Sequence, residues 1–308
     1  GNARIVEQPA RPLRRGATIS FANQGEAGLS DGAVTFVSQS KAYLRDDGQV
    51  QLISFDPTKM EILDTIPLEG VMRKGVVPGF GQTIKRSDGV YFPISYYDPD
   101  NFGLVPEGSL LVRVVPETDE VTVSAEARCT GFNVGFLSEA GDAYWFSDVD
   151  TAVGWRANPP VPGAQHDCAL RLRSGETTFD PTWQLDVNKR THGWPAIAAV
   201  PDGGSRIWLR VLEESSIEVP TEVDPVTLAE LPGWQWYLLD LEGTAAAVPN
   251  HDRPLGSYYT YNFRLDGRTF TTESNADYSE ARILEITDQE FREGPTVNGT
   301  VRGLARLR

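Results

Sequence analysis

The 308 residues carry 28 Lys plus Arg against 43 Asp plus Glu, a formal net charge of -15. A phosphate polyanion or an anionic membrane surface is repelled by such a chain, which argues against either as the main partner and leaves only a local basic cleft open to one. With 40% hydrophobic residues it can bury a substantial core, as one large domain or two smaller ones, but no apolar run approaches the roughly 20 residues of a membrane helix and no signal peptide opens the sequence.

Gly 29 and Pro 21 suit a chain that turns often. In chain order, five segments repeat one pattern: a short apolar strand, a Gly/Asp turn, an aromatic-rich strand, a polar loop, an aliphatic strand, a tight turn and a closing strand. The aromatic strand appears as Ala42-Tyr43-Leu44, Val90-Tyr91-Phe92, Tyr144-Trp145-Phe146, Ile207-Trp208-Leu209 and Thr269-Phe270-Thr271. Turns such as Asp88-Gly89 and Asp266-Gly267 precede it, because Gly and Asp tolerate positive φ. The aliphatic strand recurs as Gln51 to Phe55, Leu110 to Val114, Ala169 to Arg173, Trp236 to Leu239 and Arg282 to Ile286. Helical periodicity is sustained nowhere, so βαβ and TIM-barrel readings fall away.

The pattern predicts an all-β fold: a single β-propeller domain over 1–308 with five complete four-stranded modules at about 33–70, 71–131, 132–193, 194–256 and 257–299. Residues 1–24 and 300–308 read as a partial further blade, giving six or seven blades if an N-terminal segment is missing. The two cysteines, Cys129 and Cys168, fall in neighbouring modules. Their sparing use favours a disulfide, and with it an oxidising compartment, over two separate buried thiols.

Specific chemistry is scarce. His166, His192 and His251 stand in loops without zinc-ligand spacing. The segment Asp98 to Gly103 opens like a calcium loop, but Ser109 stands where the bidentate acid belongs, and Asp148 with Asp150 is a similarly weak pair. A glycosidase needs two carboxylates across a cleft, and acids are too abundant to nominate them. No nucleophile elbow, phosphate loop or dinucleotide fingerprint is present. Asn298-Gly299-Thr300 matches a glycosylation acceptor, a match frequent by chance.

More informative are aromatics near the module boundaries and the loops beyond the second strands. These are Phe80, Tyr96, Tyr97, Phe132, Trp155, Arg156, Trp194, Tyr258, Tyr259, Tyr261, Arg264 and Tyr278. Gathered at one mouth of a propeller, they form a stacking pocket for a planar anionic ligand; taken singly, each is an ordinary inter-blade packing residue.

The stretches Lys41 to Leu44 with Gln51 to Ile53, Trp234 to Leu241, Asp266 to Phe270 with Ala276 to Ser279, and Val301 to Arg306 resemble the MxcI-like proteins encoded with myxochelin-type siderophore systems in bacteria. The resemblance covers nearly the whole chain, through structural motifs more than catalytic ones. It implies an exported propeller, periplasmic or lipid-anchored at the cell surface, that acts in iron acquisition, related propeller lipoproteins binding ferric catecholate siderophores. Family members carry an N-terminal signal and lipobox that this sequence lacks, and no family binding residue is carried over.

The leading expectation is therefore a non-enzymatic protein, without cofactor or metal, binding a ferric catecholate siderophore or similar aromatic ligand at the propeller mouth. The anionic ligand calls for a locally positive mouth, from Arg73, Lys85, Arg86, Arg156, Arg253 or Arg264. The alternatives are a cell-surface interaction scaffold, its open blade edge covered by a partner such as an outer-membrane transporter, and a glycoside hydrolase of the five-bladed type.

Overall fold

The computed structural model describes residues 17–21, 33–98, 103–104, 108–157, 167–287 and 289–301. Within them lie five antiparallel sheets: four are four-stranded meanders whose strands pair in chain order, and the sheet of blade II is six-stranded, the short strand Gly103–Leu104 also pairing with Gly89–Asp98. Blade I comprises Val34–Phe36, Ala42–Asp46, Gln51–Asp56 and Glu61–Pro67. In blade II, Val77–Phe80 and Ile84–Arg86 together flank Gly89–Asp98, followed by Ser109–Val115 and Glu120–Glu126. Blade III is built from Phe132–Leu137, Ala143–Ser147, Cys168–Leu172 and Gln184–Asp186, and blade IV from Ala196–Gly203, Arg206–Leu212, Trp234–Asp240 and Val248–Pro249. Asn262–Leu265, Arg268–Ser274, Glu280–Thr287 and Glu290–Asn298 form blade V. This is a β-propeller.

Burial follows strand position. All residues of Ala42–Asp46 and Ala143–Ser147 are buried, because middle strands are covered on both faces by neighbouring blades, and this is why they read as continuous apolar and aromatic runs. Fourth strands such as Glu61–Pro67 and Glu120–Glu126 alternate between exposed and half-buried positions. The core accordingly lies between blades: one cluster joins Tyr43 and Leu52 of blade I to Phe92 and Val112 of blade II, and another joins Tyr144 and Phe146 of blade III to Leu209 and Tyr237 of blade IV.

Cys129 and Cys168 form a disulfide with Cα atoms 6.0 Å apart, tying the linker out of blade II to the third strand of blade III. The partial blade expected from 1–24 and 300–308 lies outside the described residues, apart from 17–21 and 300–301, which are not strands. Ile19 and Phe21 instead pack on the blade I core, Phe21 meeting Phe55 edge to face at 5.8 Å.

Among the described residues, three short α-helices interrupt the β pattern: α1 (Val149–Ala157), α2 (Val187–Arg190) and α3 (Pro225–Glu230). The sequence periodicity does not announce them, since each is too short to sustain a helical repeat. Among the described residues, no helix is long and apolar enough to cross a membrane.

Candidate functional site

In a four-stranded meander, the connection from second to third strand and the connection to the next blade emerge at the same end. α1 fills the second-to-third connection of blade III and α3 that of blade IV, and the two helices pack together. Tyr278 stands in the matching turn of blade V, while Trp194 and the run Tyr258-Tyr259 stand in inter-blade linkers. Topology thus collects helices and aromatics at one end of the propeller.

Both helices are started by aspartates. Asp148 Oδ1 accepts from the Thr151 N–H at 2.7 Å and from the Thr151 hydroxyl at 2.6 Å, capping α1. Asp224 does the same for α3 through the Thr227 N–H at 3.0 Å, with Pro225 supplying the fixed φ of the first turn. The second Asp148 oxygen accepts from the Tyr97 hydroxyl of blade II at 2.6 Å. Asp167, also buried, accepts from the Ala196 N–H of blade IV at 3.0 Å. Burial, helped by Asp150, pushes the Asp148 carboxyl up to about 6. Burial pushes the Asp167 carboxyl and the Tyr97 phenol well above their usual values.

Beside α1 and α3 stands a cluster of tyrosines. The rings of Tyr258, Tyr259 and Tyr278 lie 6.0, 5.8 and 6.5 Å apart, at interplanar angles of 84°, 87° and 79°. Trp234, fully buried, supports Tyr258 from 6.2 Å, and Tyr258 packs on the apolar cluster shared by the two helices. Tyr259 and Tyr261 share a hydroxyl–hydroxyl hydrogen bond of 2.9 Å. Burial raises the Tyr258 phenol, with further upward pressure from Asp150 of α1 and Glu230 of α3. The Tyr278 phenol is raised to about 12 by burial and then by Tyr258 and Glu230. Asp150 and Glu230 thus add negative charge on the helices beside the cluster.

The backbone holding these rings is closely determined. Arg210, fully buried, donates to the Ser257 carbonyl at 2.8 Å, and a Cβ on Gly256 would come within 2.8 Å of the same guanidinium nitrogen. Tyr278 sits at φ 57°, a left-handed conformation that a bulky residue adopts only under constraint. Its N–H donates to the Asn275 carbonyl at 3.2 Å, and Asn275 also binds both the Glu280 N–H and the Ser279 hydroxyl.

Of the residues nominated from sequence, Tyr258, Tyr259, Tyr261 and Tyr278 come together, and Trp155 and Arg156 lie on α1 at the same end of the propeller, in a helix where a loop was expected. Others do not join them. Tyr96 is fully buried, donating to the Val71 carbonyl at 2.7 Å with Arg73 over its ring. Phe132 is buried against Phe179, and Phe80 packs on Phe92 beneath Arg45. Trp194 is half-buried beside His192, and Arg264 is exposed on the inner strand of blade V. His251 is exposed, while His166 and residues 99–102 of the calcium-like loop lie outside the described residues.

Four of the nominated cations are committed to partners in the fold, while Arg264 is exposed on the first strand of blade V. Arg156 forms a two-pronged pair with Glu214 at 2.7 Å, Arg86 pairs with Asp88, and Arg253 pairs with Glu273 and Glu293. Lys85 donates to the Val37 carbonyl at 2.6 Å. Residues not nominated but central here are Asp150, Glu230, Trp234 and Arg210; for α1, the Asp148 cap ahead of an Ala-Val segment was the available signal. Among the described residues, no group of three His, Cys, Asp or Glu is suited to a metal ion.

No protein-family model matches the chain, and no curated sequence is similar to it. Solved structures resemble it in fold. A protein of Bacteroides fragilis provisionally assigned as a 6-phosphogluconolactonase superposes with TM-score 0.51 at 10% identity, over 86% of this chain and 69% of its own. A protein of unknown function from Desulfotomaculum acetoxidans gives TM-score 0.49 at 12% identity, over 85% and 67%. The WD40 domain of Toxoplasma gondii coronin gives 0.48 at 8%, over 86% of this chain and 57% of its own. Identities this low speak to the fold alone, and the first of these likenesses agrees with the propeller read from the sheets.

Proposed function

We propose that the chain is a non-enzymatic binding protein of the extracytoplasmic space that takes an aromatic ligand at the helix-bearing end of the propeller. The observation that carries this reading is the convergence of Tyr258, Tyr259, Tyr261 and Tyr278, half-buried rings held by a constrained turn and a buried arginine. Half-buried aromatic faces beside polar hydroxyls suit stacking and phenol hydrogen bonding to a planar molecule. The two buried acids at this end are engaged within the fold: Asp148 caps α1 and receives Tyr97, and Asp167 bridges to blade IV. The Cys129–Cys168 bridge supports an oxidising compartment.

The family resemblance nominates a catecholate siderophore as the ligand. Catechol rings suit stacking on the tyrosines, but the ferric complex is anionic, and of the arginines nominated to neutralise it Arg156, Arg86 and Arg253 are held by Glu214, Asp88, Glu273 and Glu293, which leaves the exposed Arg264 to meet it. Titration of intrinsic fluorescence with iron-free catecholate, ferric catecholate and simple aromatic probes tests the reading. Saturable quenching by at least one of them, lost in Tyr259→Leu, is the expected result. No response to any of them overturns it.

A further inference from the structure

Resting on that reading, we infer that the aromatic ligand carries an organic ammonium group, which sits at the corner formed by the rings of Tyr258, Tyr259 and Tyr278, beside the packed helices α1 and α3 that carry Asp150 and Glu230. Three planes within about 11° of mutual perpendicularity, with centroids 5.8, 6.0 and 6.5 Å apart, have the angles and spacing that three adjoining walls of a box require. For walls at this spacing the enclosed centre lies about 4 Å from each ring, inside the ~6 Å reach over which a cation is attracted to an aromatic face.

Three further features agree. Asp150 lies in the first turn of α1 and Glu230 closes α3, and both act electrostatically on Tyr258; among the described residues neither forms an ion pair. The arginine of α1, Arg156, is turned to Glu214 and neutralised there. Tyr278, the third wall, is held in the left-handed region by the hydrogen bonds of its own turn. Asn or Gly would take that backbone at less cost, so the ring itself is what the turn presents.

The chemistry selects against the ferric catecholate. Two carboxylates and three electron-rich faces attract a positive centre and repel a complex anion. An alkylammonium attached to an aromatic ring satisfies both the corner and the stacking faces of Tyr259 and Tyr261.

The test compares 2-phenylethylammonium with its neutral counterpart 2-phenylethanol by calorimetry and by the upfield ring-current shift of the ligand protons, alongside ferric catecholate. The cation is expected to bind about tenfold or more tighter than the alcohol, with the preference lost in Asp150→Asn/Glu230→Gln. Tyr278→Leu and Tyr259→Leu, checked for native circular dichroism, should abolish the upfield shift. Equal binding of amine and alcohol, unaltered by the charge-neutral variant, overturns the inference while leaving aromatic binding standing. Tighter binding of ferric catecholate than of the amine overturns it as well. Silence from all three probes overturns the inference and the proposed function together.

Discussion

Replacing Asp148 by Asn perturbs the helix-bearing end at a single buried atom. Asp148 is 5% exposed, and burial together with Asp150 raises its carboxyl from 3.8 to about 6. A carboxyl that holds its proton more tightly when folded contributes stability below about pH 4 and loses it as pH rises through about 6. At pH 7 the ionised group is therefore a net cost, of about 3 kcal/mol for a shift of some two pH units. A favourable interaction with the α1 N-terminus, about 0.3–1 kcal/mol, offsets part of that. Asparagine keeps an oxygen for the Thr151 N–H and hydroxyl, and its amide can donate to the Tyr97 hydroxyl in place of the bond now 2.6 Å long. The variant should gain about 2 kcal/mol at pH 7 and little at pH 4, so its stability curve is flatter in between. Asp167, raised in the same direction, leaves a residual slope in both proteins. Urea unfolding midpoints at pH 4.5, 5.5 and 7 measure this. A variant less stable than its parent at pH 7, or one with an unchanged pH slope, would show that the ionised Asp148 carboxylate does not destabilise the fold.

Other perturbations probe the joints between blades. Glu273, 8% exposed, lies between the guanidinium groups of Arg210 and Arg253 and accepts from the Trp236 ring N–H at 3.1 Å. Glu273→Ala should cost about 3–5 kcal/mol in denaturant unfolding, since it leaves the fully buried Arg210 guanidinium without its carboxylate and beside Arg253, which keeps Glu293; a loss below about 1 kcal/mol would show that Arg210 is solvated. Removing the disulfide as Cys129→Ala/Cys168→Ala opens a loop of sequence separation 39, an unfolded-state term of about 4 kcal/mol, to be read from the same experiment under non-reducing conditions. Gly135→Ala should destabilise blade III, because a Cβ there falls 2.6 Å from the Trp145 ring. A thermal midpoint equal to the parent's would contradict that packing.

The five-sheet architecture was legible because middle strands buried on both faces must be continuous apolar runs: Ala42-Tyr43-Leu44 and Tyr144-Trp145-Phe146 show burial directly in their composition. The site was legible only in part. Tyr258 to Tyr261 stood out as a run, but nothing in the sequence separates Tyr278, which lines the cluster, from Tyr96, which is core. That distinction depends on which way a strand end faces after two blades have packed. The cations misled for a related reason. Arg156 and Arg253 are local in sequence to the aromatics, while the carboxylates that claim them, Glu214 and Glu293, come from other connections and strands. Helix α1 was hidden because nine residues capped by Asp148 give too little periodicity to read.

In the proposed function, the helix-bearing end, through its tyrosines, is where this propeller meets its ligand. The chain has 10 tyrosines, each a separate reporter. Tyrosine-selective isotope labelling, with ring resonances followed during titration with 2-phenylethylammonium, tests the claim most directly. Saturable shifts at Tyr258, Tyr259 and Tyr278, with Tyr43, Tyr91 and Tyr237 unmoved, are what the account predicts. Shifts confined to the inter-blade tyrosines, or none at a ligand concentration where calorimetry detects binding, would contradict it.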